Sequence, residues 1–524
     1  MASQGRVQRI GALDSAEPFD VCIIGSGLSG TILGTLLARR GARTLILESG
    51  GHMGRWLLDR RLRRLAGYEV SGNANYPTKR TRGRLLGGNS NFWTGRCERL
   101  HPSDFSDHPY RPPSNPWPLT YIDVEPHYEA AEELLRVRGD ALSEHMPPRR
   151  RPLPLPASTD ISGLRAMLAR IGVVVDDAPT ATPQHGLRFF RVQNEIMPEF
   201  LVSPHATAVA NVTVTRLLAD EAGRITGATA RTMDGAERTA RARRFVVACG
   251  GIESPRLLLL SRSSIFPNGI GNNYDRVGRG FTEHPSLNFY GKIRHDWATT
   301  VVPRHKIGRI HQFYDVFRKD GLGSLDISVI QSWLFPHHLM PPIDLLRDLG
   351  RAFGRIVRPT LYMGPNLEMR PDDENRVTLS NSARDEFGDP LAHLHLSFTE
   401  SDSRTLDRAR AFVRDLFDKL GSGKVREGPQ TWSRHHIGTC RMGDDPKTSV
   451  TDPNLRVHGT RNLYVLGSET FVTGGAVPPV LTITALAHRL AEHLVTTRAG
   501  EGSAMRPGSL QRVPGERCET AGHR

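Results

Sequence analysis

The sequence predicts an α/β protein with a second domain of the α+β type. Near the N-terminus a short β-branched strand stops at a glycine-rich turn, and a helix and a second buried strand follow it. In the middle of the chain, apolar residues alternate with polar ones in several short segments, which is typical of an antiparallel sheet with one covered face. The 524 residues are enough for two or more domains with a large core.

The composition excludes several classes of protein. Hydrophobic residues make up 38% and charged residues 24% of the chain, and its 51 glycines and 36 prolines recur without a period, unlike collagen, a coiled coil or a wholly disordered chain. The net charge of +14 would suit an acidic partner, but the arginines are spread along the chain. The densest basic runs, residues 60–64 and 149–151, are short and carry few aromatic residues. We therefore expect no nucleic-acid partner.

Cysteine usage and the N-terminal sequence indicate a cytoplasmic protein. The five cysteines are an odd number without CxxC spacing, so we expect neither a disulfide framework nor a metal site. Residues 1–20 are polar and lack the apolar segment of a secretory signal. Residues 21–38 have about the length of a membrane span, but their four glycines and the downstream acid Glu48 favour another explanation. No membrane span is predicted.

The first strand, helix and second strand carry a dinucleotide-binding fingerprint. The strand over Phe19–Ile24 stops at a Gly-x-Gly-x-x-Gly turn, and the second strand closes on an acid. Gly25 allows the tight turn, Gly27 lets the backbone approach a pyrophosphate, and Gly30 lets helix and strand pack closely. The helix N-terminus attracts phosphate, and Glu48, about 20 residues later, accepts hydrogen bonds from a ribose diol. These features predict a Rossmann-like domain.

A second glycine-rich segment follows in the basic stretch 79–99. Its core is Gly87, Gly88, Asn89, Ser90 and Asn91, small residues that suit a backbone passing close to a flat ligand. Further strands are predicted at 212–214, 245–247, 287–293, 325–329, 394–398 and 463–466, and helices at 255–261, at 401–421 and from 482 onward. The polar tails, residues 1–16 and 499–524, are expected to be disordered.

Several motifs stand in the order found in the glucose-methanol-choline (GMC) oxidoreductases, which the chain resembles from about residue 19 to residue 494. They are the glycine fingerprint, the Gly-Gly loop, Val-Val-Ala-Cys-Gly-Gly-Ile-Glu-Ser-Pro at 246–255, Glu-His-Pro at 283–285 and His-His-Ile-Gly-Thr-Cys-Arg-Met-Gly at 435–443. Within the family, the chain looks most like the bacterial branch near pyranose oxidases and sugar dehydrogenases. The resemblance implies a discontinuous Rossmann-like FAD-binding domain of the p-hydroxybenzoate-hydroxylase type (17–100, 200–290 and 430–498) and an antiparallel-sheet substrate-binding domain (101–199 and 291–429).

The resemblance also implies a cofactor, a reaction and the residues that serve them. The cofactor is FAD, and the reaction is oxidation of an alcohol to an aldehyde or ketone. His435 matches the family's active-site histidine and would take the hydroxyl proton while hydride passes to flavin N5. The residues that would contact FAD are Gly25, Gly27, Gly30 and Glu48 for the ADP half, Val214 for the adenine, Gly87, Gly88, Asn89, Ser90 and Asn91 for the isoalloxazine, and Gly467 and Ser468 for closure over the cofactor.

Two positions depart from the family's pattern. The family usually has a second His or Asn about forty residues after the first, whereas this chain has Pro478, whose side chain neither donates nor accepts a hydrogen bond. Catalysis then rests on His435 alone or on a residue from elsewhere. The histidine through which some pyranose oxidases attach FAD is replaced by Phe92, so we expect non-covalent FAD. The other histidines that compete for a role are His284, His393, His395 and His436.

The substrate is the least specified part of the prediction. The sugar-oxidising branch implies a polyhydroxylated substrate, and the arginine-rich chain resembles FAD-dependent oxidases that act on the primary hydroxyl of an aminoglycoside in antibiotic biosynthesis. A neutral sugar, a C-glycoside and a sterol-like alcohol stay open as alternatives, as do O2 and another electron acceptor. From a different functional class, Pro478 leaves open a flavin-binding or partner-binding protein without alcohol chemistry.

Overall fold

A computed structural model of the chain describes residues 7–15, 17–79, 81–108, 110, 116–139, 143–154, 161–184, 189–293, 308–332 and 360–500. Its helices are α1 (Leu28–Arg39), α2 (Met53–Leu58), α3 (Arg60–Leu65), α4 (Tyr121–Leu134), α5 (Ser162–Ala169), α6 (Val192–Glu195), α7 (Met197–Val202), α8 (Gly250–Leu260), α9 (Glu400–Lys419) and α10 (Val480–Gly500).

The strands in the first half of the described chain are β1 (Phe19–Ile24), β2 (Thr44–Glu48), β3 (Tyr68–Ser71), β4 (Val137–Arg138), β5 (Asp176–Asp177), β6 (Thr180–Ala181), β7 (Ala206–Ala210), β8 (Thr213–Ala219), β9 (Ile225–Arg231), β10 (Glu237–Ala240) and β11 (Ala242–Val247). Those in the second half are β12 (Pro285–Ser286), β13 (Phe289–Lys292), β14 (Gly308–Ile310), β15 (Leu325–Ser332), β16 (Thr360–Leu367), β17 (Arg376–Arg384), β18 (Pro390–His395), β19 (Val425–Glu427), β20 (Thr431–Trp432) and β21 (Leu463–Val465).

The fingerprint strand lies at the centre of a parallel sheet. The sheet has five strands in the order β21-β11-β1-β2-β7, so β1 has a partner on both sides. Successive residues of a strand point to opposite faces. Val21 and Ile23 therefore pack with helices α1 and α10, while Cys22 and Ile24 pack under α8 and the antiparallel sheet β8–β10. This arrangement confirms the predicted α/β, Rossmann-like architecture.

A second, larger sheet is antiparallel and has one apolar and one polar face. Its main path is β19-β13-β16-β15-β14-β5, and β12 and β20 join alongside β16. On β15, Leu325, Ile327 and Val329 face a core formed with helices α5 and α9. The intervening Asp326 lies opposite Asn366 of β16, on the face that this core leaves uncovered. The alternation in the sequence thus predicts the sheet correctly, and the polar face turns toward the site described below.

Helix α8 begins five residues earlier than the sequence predicts. A proline normally marks a helix start because it lacks the N–H that the preceding turn requires. Here Pro255 lies inside the helix, and the carbonyl oxygen of Gly251, four residues before it, accepts a hydrogen bond from Thr439 Oγ1 at 2.8 Å. A hydroxyl from another part of the chain therefore replaces the missing backbone donor.

The ends of the described chain differ in part from the prediction. Ile10–Asp14 form a 3-10 turn with Leu13 buried, and Gln8 pairs with Val209, so this part of the predicted N-terminal tail is ordered by contact with strand β7. Helix α10 continues to Gly500, and residues 501–524 lie outside the described residues. Within the described ranges, no helix combines the length and apolar character that crossing a bilayer requires.

Candidate active site

The glycine turn between β1 and α1 leaves an open cradle at the start of the helix. Gly25 has a φ of +106°, and a Cβ on it would lie 2.5 Å from the carbonyl oxygen of Ala248. A Cβ on Gly27 would meet no atom of the described residues within 4 Å, and no side chain caps the first turn of α1. Gly30 packs so tightly that a Cβ would overlap the Gly25 carbonyl. Free N–H groups and space at a helix N-terminus suit a phosphate group.

The predicted Gly-Gly loop lies directly against this cradle. The N–H of Gly87 donates to the carbonyl of Ser26 at 3.1 Å. A Cβ on Gly88 would lie 3.0 Å from the Cα of Gly27. The polar side chains of the loop hold its own backbone: Asn89 accepts from the Gly83 N–H at 2.9 Å, Ser90 donates to the Gly87 carbonyl at 2.7 Å, and Asn91 donates to the Leu86 carbonyl at 2.8 Å.

Glu48 lies next to the same cradle, and Val214 lies on strand β8, which follows the segment that contacts the Glu48 backbone. The buried carboxylate of Glu48 accepts from the N–H of Ser26 at 3.0 Å and from its hydroxyl at 2.7 Å. Burial raises the pKa of Glu48. Val214 on β8 is half-buried and lines a cavity together with Arg84, Thr213 and Leu257. The Thr213 hydroxyl lies 2.7 Å from that of Ser49, so the cavity begins one residue beyond Glu48.

The segment that carries the paired histidines is held by a buried carboxylate. Residues Thr282 and Ile437 form an antiparallel bridge, which brings Glu283 beside the segment. The carboxylate of Glu283 accepts from the N–H of Arg434 at 3.0 Å and from the N–H of His435. Arg434 has a left-handed φ of 65°, a strained backbone for a residue with a side chain. Burial raises the pKa of Glu283 to about 7.

The imidazole of His435 is half-buried, neutral and in contact with a second imidazole. Burial lowers its pKa well below the ordinary value because the charged ring is poorly solvated, and His284 and Arg96 add to this effect. Its Nδ1 lies 2.8 Å from Nδ1 of His284, with the two rings at 82° to each other. A neutral imidazole whose hydrogen-bonded nitrogen is the donor has the other nitrogen available to accept a proton.

The predicted residues Gly467 and Ser468 lie beside His436, the residue that follows His435. His436 is buried, and its Nε2 lies 2.8 Å from the hydroxyl of Tyr76. The carbonyl of His436 accepts from Ser468 Oγ at 2.8 Å, and the N–H of Gly438 donates to the Ser468 carbonyl at 3.2 Å. The segment that starts at Gly467 therefore runs alongside the paired histidines, while His436 itself points into the core.

His393 and His395 do not join this group. Both lie half-buried on β18, in the small sheet with β3 and β17. Nδ1 of His395 lies 3.0 Å from Ser71 Oγ. Phe92, which follows the Gly-Gly loop, is 49% exposed. The contact between His284 and His435 joins residues far apart in the chain, and only the Glu-His-Pro motif marked His284 in the sequence.

The polar face of the large sheet supplies further groups beside the imidazoles. Ser433 Oγ lies 3.1 Å from Ser286 Oγ and 3.3 Å from Asn366 Oδ1. Arg96 donates to Glu98 at 2.8 Å and to Asp326 at 3.1 Å. Its positive charge lowers the pKa of both His284 and His435. Hydroxyl, amide and charged groups thus surround the histidines on the side of this sheet.

Comparison with known proteins identifies the family. The profiles of the GMC oxidoreductase family match residues 188–286 and 371–487, and that of an NAD(P)-binding Rossmann-like domain matches residues 23–80. The chain belongs to the GMC oxidoreductase family. FAD is therefore the cofactor of this GMC oxidoreductase, and its reaction is the oxidation of an alcohol group.

Similar proteins cover nearly the whole chain. The 6'''-hydroxyparomomycin C oxidase of Streptomyces lividus is 29% identical over 93% of this chain and 95% of its own. The paromamine 6'-oxidase of Streptomyces fradiae is 28% identical over 91% of this chain and 92% of its own. The solved structure of pyridoxine 4-oxidase from Mesorbium loti, at 19% identity, has a TM-score of 0.62 and covers 91% of this chain and 99% of its own, which shows the shared fold.

The residues present fit FAD. The space beside Gly27, the uncapped start of α1 and the carboxylate of Glu48 match a pyrophosphate and a ribose diol. The cavity lined by Val214 and Thr213 lies beside Ser49, the residue after Glu48, where an adenine could follow the ribose. The match to an enzyme family also disfavours the alternative of a flavin-binding protein without alcohol chemistry.

Proposed function

We propose that this GMC oxidoreductase oxidises the primary hydroxyl of an aminoglycoside-like sugar, with His435 as the base that takes the hydroxyl proton. The neutral, half-buried imidazole of His435 carries the proposal. The next residue, His436, accepts a hydrogen bond from Ser468, which belongs to the segment proposed to close over FAD. Two relatives that match more than nine-tenths of the chain are named for oxidising aminoglycosides.

The residues around the cradle would hold FAD without a covalent bond. Gly25, Gly27, Gly30 and Glu48 would bind its ADP half, and the backbone of Val214 would meet the adenine. The loop 87–91 and the segment of Gly467 and Ser468 would enclose the flavin. When bound, FAD supplies the acceptor for the two electrons that leave the carbinol carbon.

His435 would act on the proton of the substrate hydroxyl. An alcohol loses electrons from its carbon readily only when the O–H proton is leaving, so a proton acceptor must lie within hydrogen-bond reach of that oxygen. The lowered pKa of His435 keeps the ring neutral at physiological pH. The buried carboxylate of Glu283 binds the backbone N–H groups of Arg434 and His435. It thereby restricts the positions that the imidazole of His435 can take.

The polar face of the large sheet supports a polyhydroxylated substrate. Ser286, Asn366 and Ser433 offer hydroxyl and amide groups that both donate and accept hydrogen bonds. Behind these groups, the buried carboxylates of Glu98 and Asp326 form ion pairs with both Arg96 and Arg309.

Anaerobic mixing of the holoprotein with a substrate panel tests the proposal. The panel contains paromamine-type aminoglycosides, neutral sugars, C-glycosides and a sterol, and loss of the visible flavin absorption reports oxidation. We expect the fastest loss with an aminoglycoside that has a free primary hydroxyl. Faster reduction by another class would overturn the substrate, and no reduction by any alcohol would overturn the activity.

The same assay tests the role of His435. His435→Ala should slow flavin reduction by about 10²–10⁴-fold, the usual contribution of a general base, while FAD binding is retained. His393→Ala is the matched control, because it removes a half-buried histidine from the small sheet. An unchanged reduction rate in His435→Ala would refute the assigned base.

The electron acceptor is tested on the reduced enzyme that the panel produces. Adding either air or an artificial dye shows which of the two restores the flavin absorption. Rapid recovery in air would make the protein an oxidase, and recovery with the dye alone would make it a dehydrogenase.

A further inference from the structure

The proposed base lacks the partner that the family usually provides. Position 478 holds a buried proline in the turn before α10, and its side chain has no polar atom. A lone neutral imidazole can carry its proton on either nitrogen. If the proton lay on the nitrogen that faces the substrate, the ring could not accept another. Some group must therefore fix which nitrogen of His435 is protonated.

We propose that His284 is this group: it is a positioning residue that holds His435 in the form whose Nε2 is free to accept the substrate proton. The inference rests on the proposed role of His435. The observation that carries it is the 2.8 Å contact between Nδ1 of His284 and Nδ1 of His435. Only 1% of His284 is exposed, so it acts through His435 and not on the substrate.

A hydrogen bond between two neutral imidazole nitrogens requires one donor and one acceptor. The Nε2 of His284 points toward the glycine pair before the Pro478 turn, and it lies 3.0 Å from the place of a Cβ on Gly474. Nearby backbone of Gly474 and Gly475 raises the pKa of this ring, while Nε2 itself has no hydrogen-bond partner among the described residues. In the proposed arrangement Nε2 of His284 carries the proton on the side of these glycines, and its Nδ1 is the acceptor.

The protonation of His284 determines which nitrogen of His435 carries the proton. Its Nδ1–H donates to Nδ1 of His284, which leaves the electron pair on Nε2. When Nε2 takes the proton from the alcohol, the Nδ1–H bond to His284 becomes a charge-assisted hydrogen bond and strengthens. His284 thereby stabilises the protonated ring without taking a proton itself.

Neighbouring charges support a neutral His284. Burial lowers its pKa to about 4, Glu368 opposes this effect, and Arg96 adds to it. The adjacent Glu283 binds the backbone N–H of His435. The dipeptide Glu283-His284 therefore holds both the backbone and the ring of the base.

Two variants of equal polarity separate positioning from general structure. The amide oxygen of an asparagine can occupy the place of Nδ1, whereas that of a glutamine reaches the place of Nε2. We expect His284→Asn to keep the rate of anaerobic flavin reduction within about threefold of the wild type. We expect His284→Gln to reduce the rate at saturating substrate by about 10- to 100-fold, the usual effect of losing a partner that orients a histidine.

Three readouts decide the outcome. The substrate concentration for half-maximal reduction and the FAD content should stay within about twofold of the wild type in both variants, since a merely structural role would change them as well. His395→Gln, on the small sheet, is the matched control. Equal rates in His284→Gln, His284→Asn and the wild type would overturn the inference, and so would equal losses in both variants. If His435→Ala itself keeps full activity, the proposed function fails instead.

Discussion

At the scale of single residues, the site depends on glycines, which have no Cβ, as much as on polar side chains. Gly27 faces space, Gly25 needs its left-handed φ, and Gly30 touches the turn. These roles follow from local sequence, because strand, turn and helix are consecutive. His435 could also be predicted from its motif. His284 could not be assigned, since its contact with His435 forms only when distant segments meet.

Gly27→Ala should weaken FAD binding and leave the protein fold intact. The added methyl group meets no described atom, so the unfolding free energy of the FAD-free protein should change by less than about 0.5 kcal/mol. The same group enters the space proposed for the pyrophosphate, and the dissociation constant for FAD should rise at least about tenfold, or by about 1.4 kcal/mol. Titration followed by flavin fluorescence measures it.

Gly11→Ala is the control for this variant, because its Cβ would also meet no atom within 4 Å. It should bind FAD as the wild type does. Equal affinity in the two variants would show that the cofactor does not pass beside Gly27.

At the scale of elements, the chain combines strong local patterns with one exception. The strand over Phe19–Ile24 has the predicted bounds, and the predicted amphipathic helix 401–421 is observed as α9, Glu400–Lys419, with Thr399 and Asp402 in a capping box. Helix α8 is the exception. Its start could not be predicted, because the hydroxyl that permits Pro255 inside the helix comes from Thr439, far along the chain.

Thr439→Val should destabilise the protein through helix α8. It removes the only side-chain donor described for the Gly251 carbonyl and leaves that buried oxygen unsatisfied. The expected loss in unfolding free energy is about 1–3 kcal/mol. Urea denaturation of the FAD-free protein measures it. Thr439→Ser keeps the hydroxyl and should lose less than half as much, so equal losses would contradict the explanation.

At the scale of the whole molecule, two sheets with different chemistry meet at the histidines. The fold class and the presence of both sheets were predictable, because each has its own periodicity. The polar face of the large sheet was not assigned to the site from the sequence. The alternation of apolar and polar residues shows that the two faces of a sheet differ, but it does not show which other parts of the protein each face contacts. The fold also buries several histidines as neutral rings, which makes stability depend on pH.

Unfolding free energy should fall as the pH falls from about 7 to 5. Burial lowers the pKa of His101 and His436 to about 3 and that of His284 to about 4, against about 6.5 in an unfolded chain. Below pH 6.5 the unfolded state binds protons that the folded state does not. The contribution of each ring is therefore complete above pH 6.5 and decreases by up to about 1.4 kcal/mol per pH unit below it.

Glu283 has the opposite effect on the pH dependence of the unfolding free energy. Its pKa is raised to about 7, so its contribution is lost as the pH rises from about 4.3 toward 7. The pKa values of Glu48, Asp402 and Glu469 are raised as well, but the buried histidines whose pKa is lowered outnumber these carboxyls. Urea midpoints from pH 5 to 8 test the balance, and His436→Gln should have a smaller slope. A midpoint that is constant or rises on acidification would contradict the prediction.

The parallel sheet has a consequence for how the protein is made. Strand β1 and the cradle leave the ribosome early, but β11 receives its second neighbour, β21, only when Leu463–Val465 have been translated. Until then the nascent chain exposes an unpaired strand edge, which invites aggregation and favours chaperone binding. His435 also lies in this last part of the chain, shortly before β21. A chain terminated before residue 435 would therefore lack both the completed sheet and the proposed base.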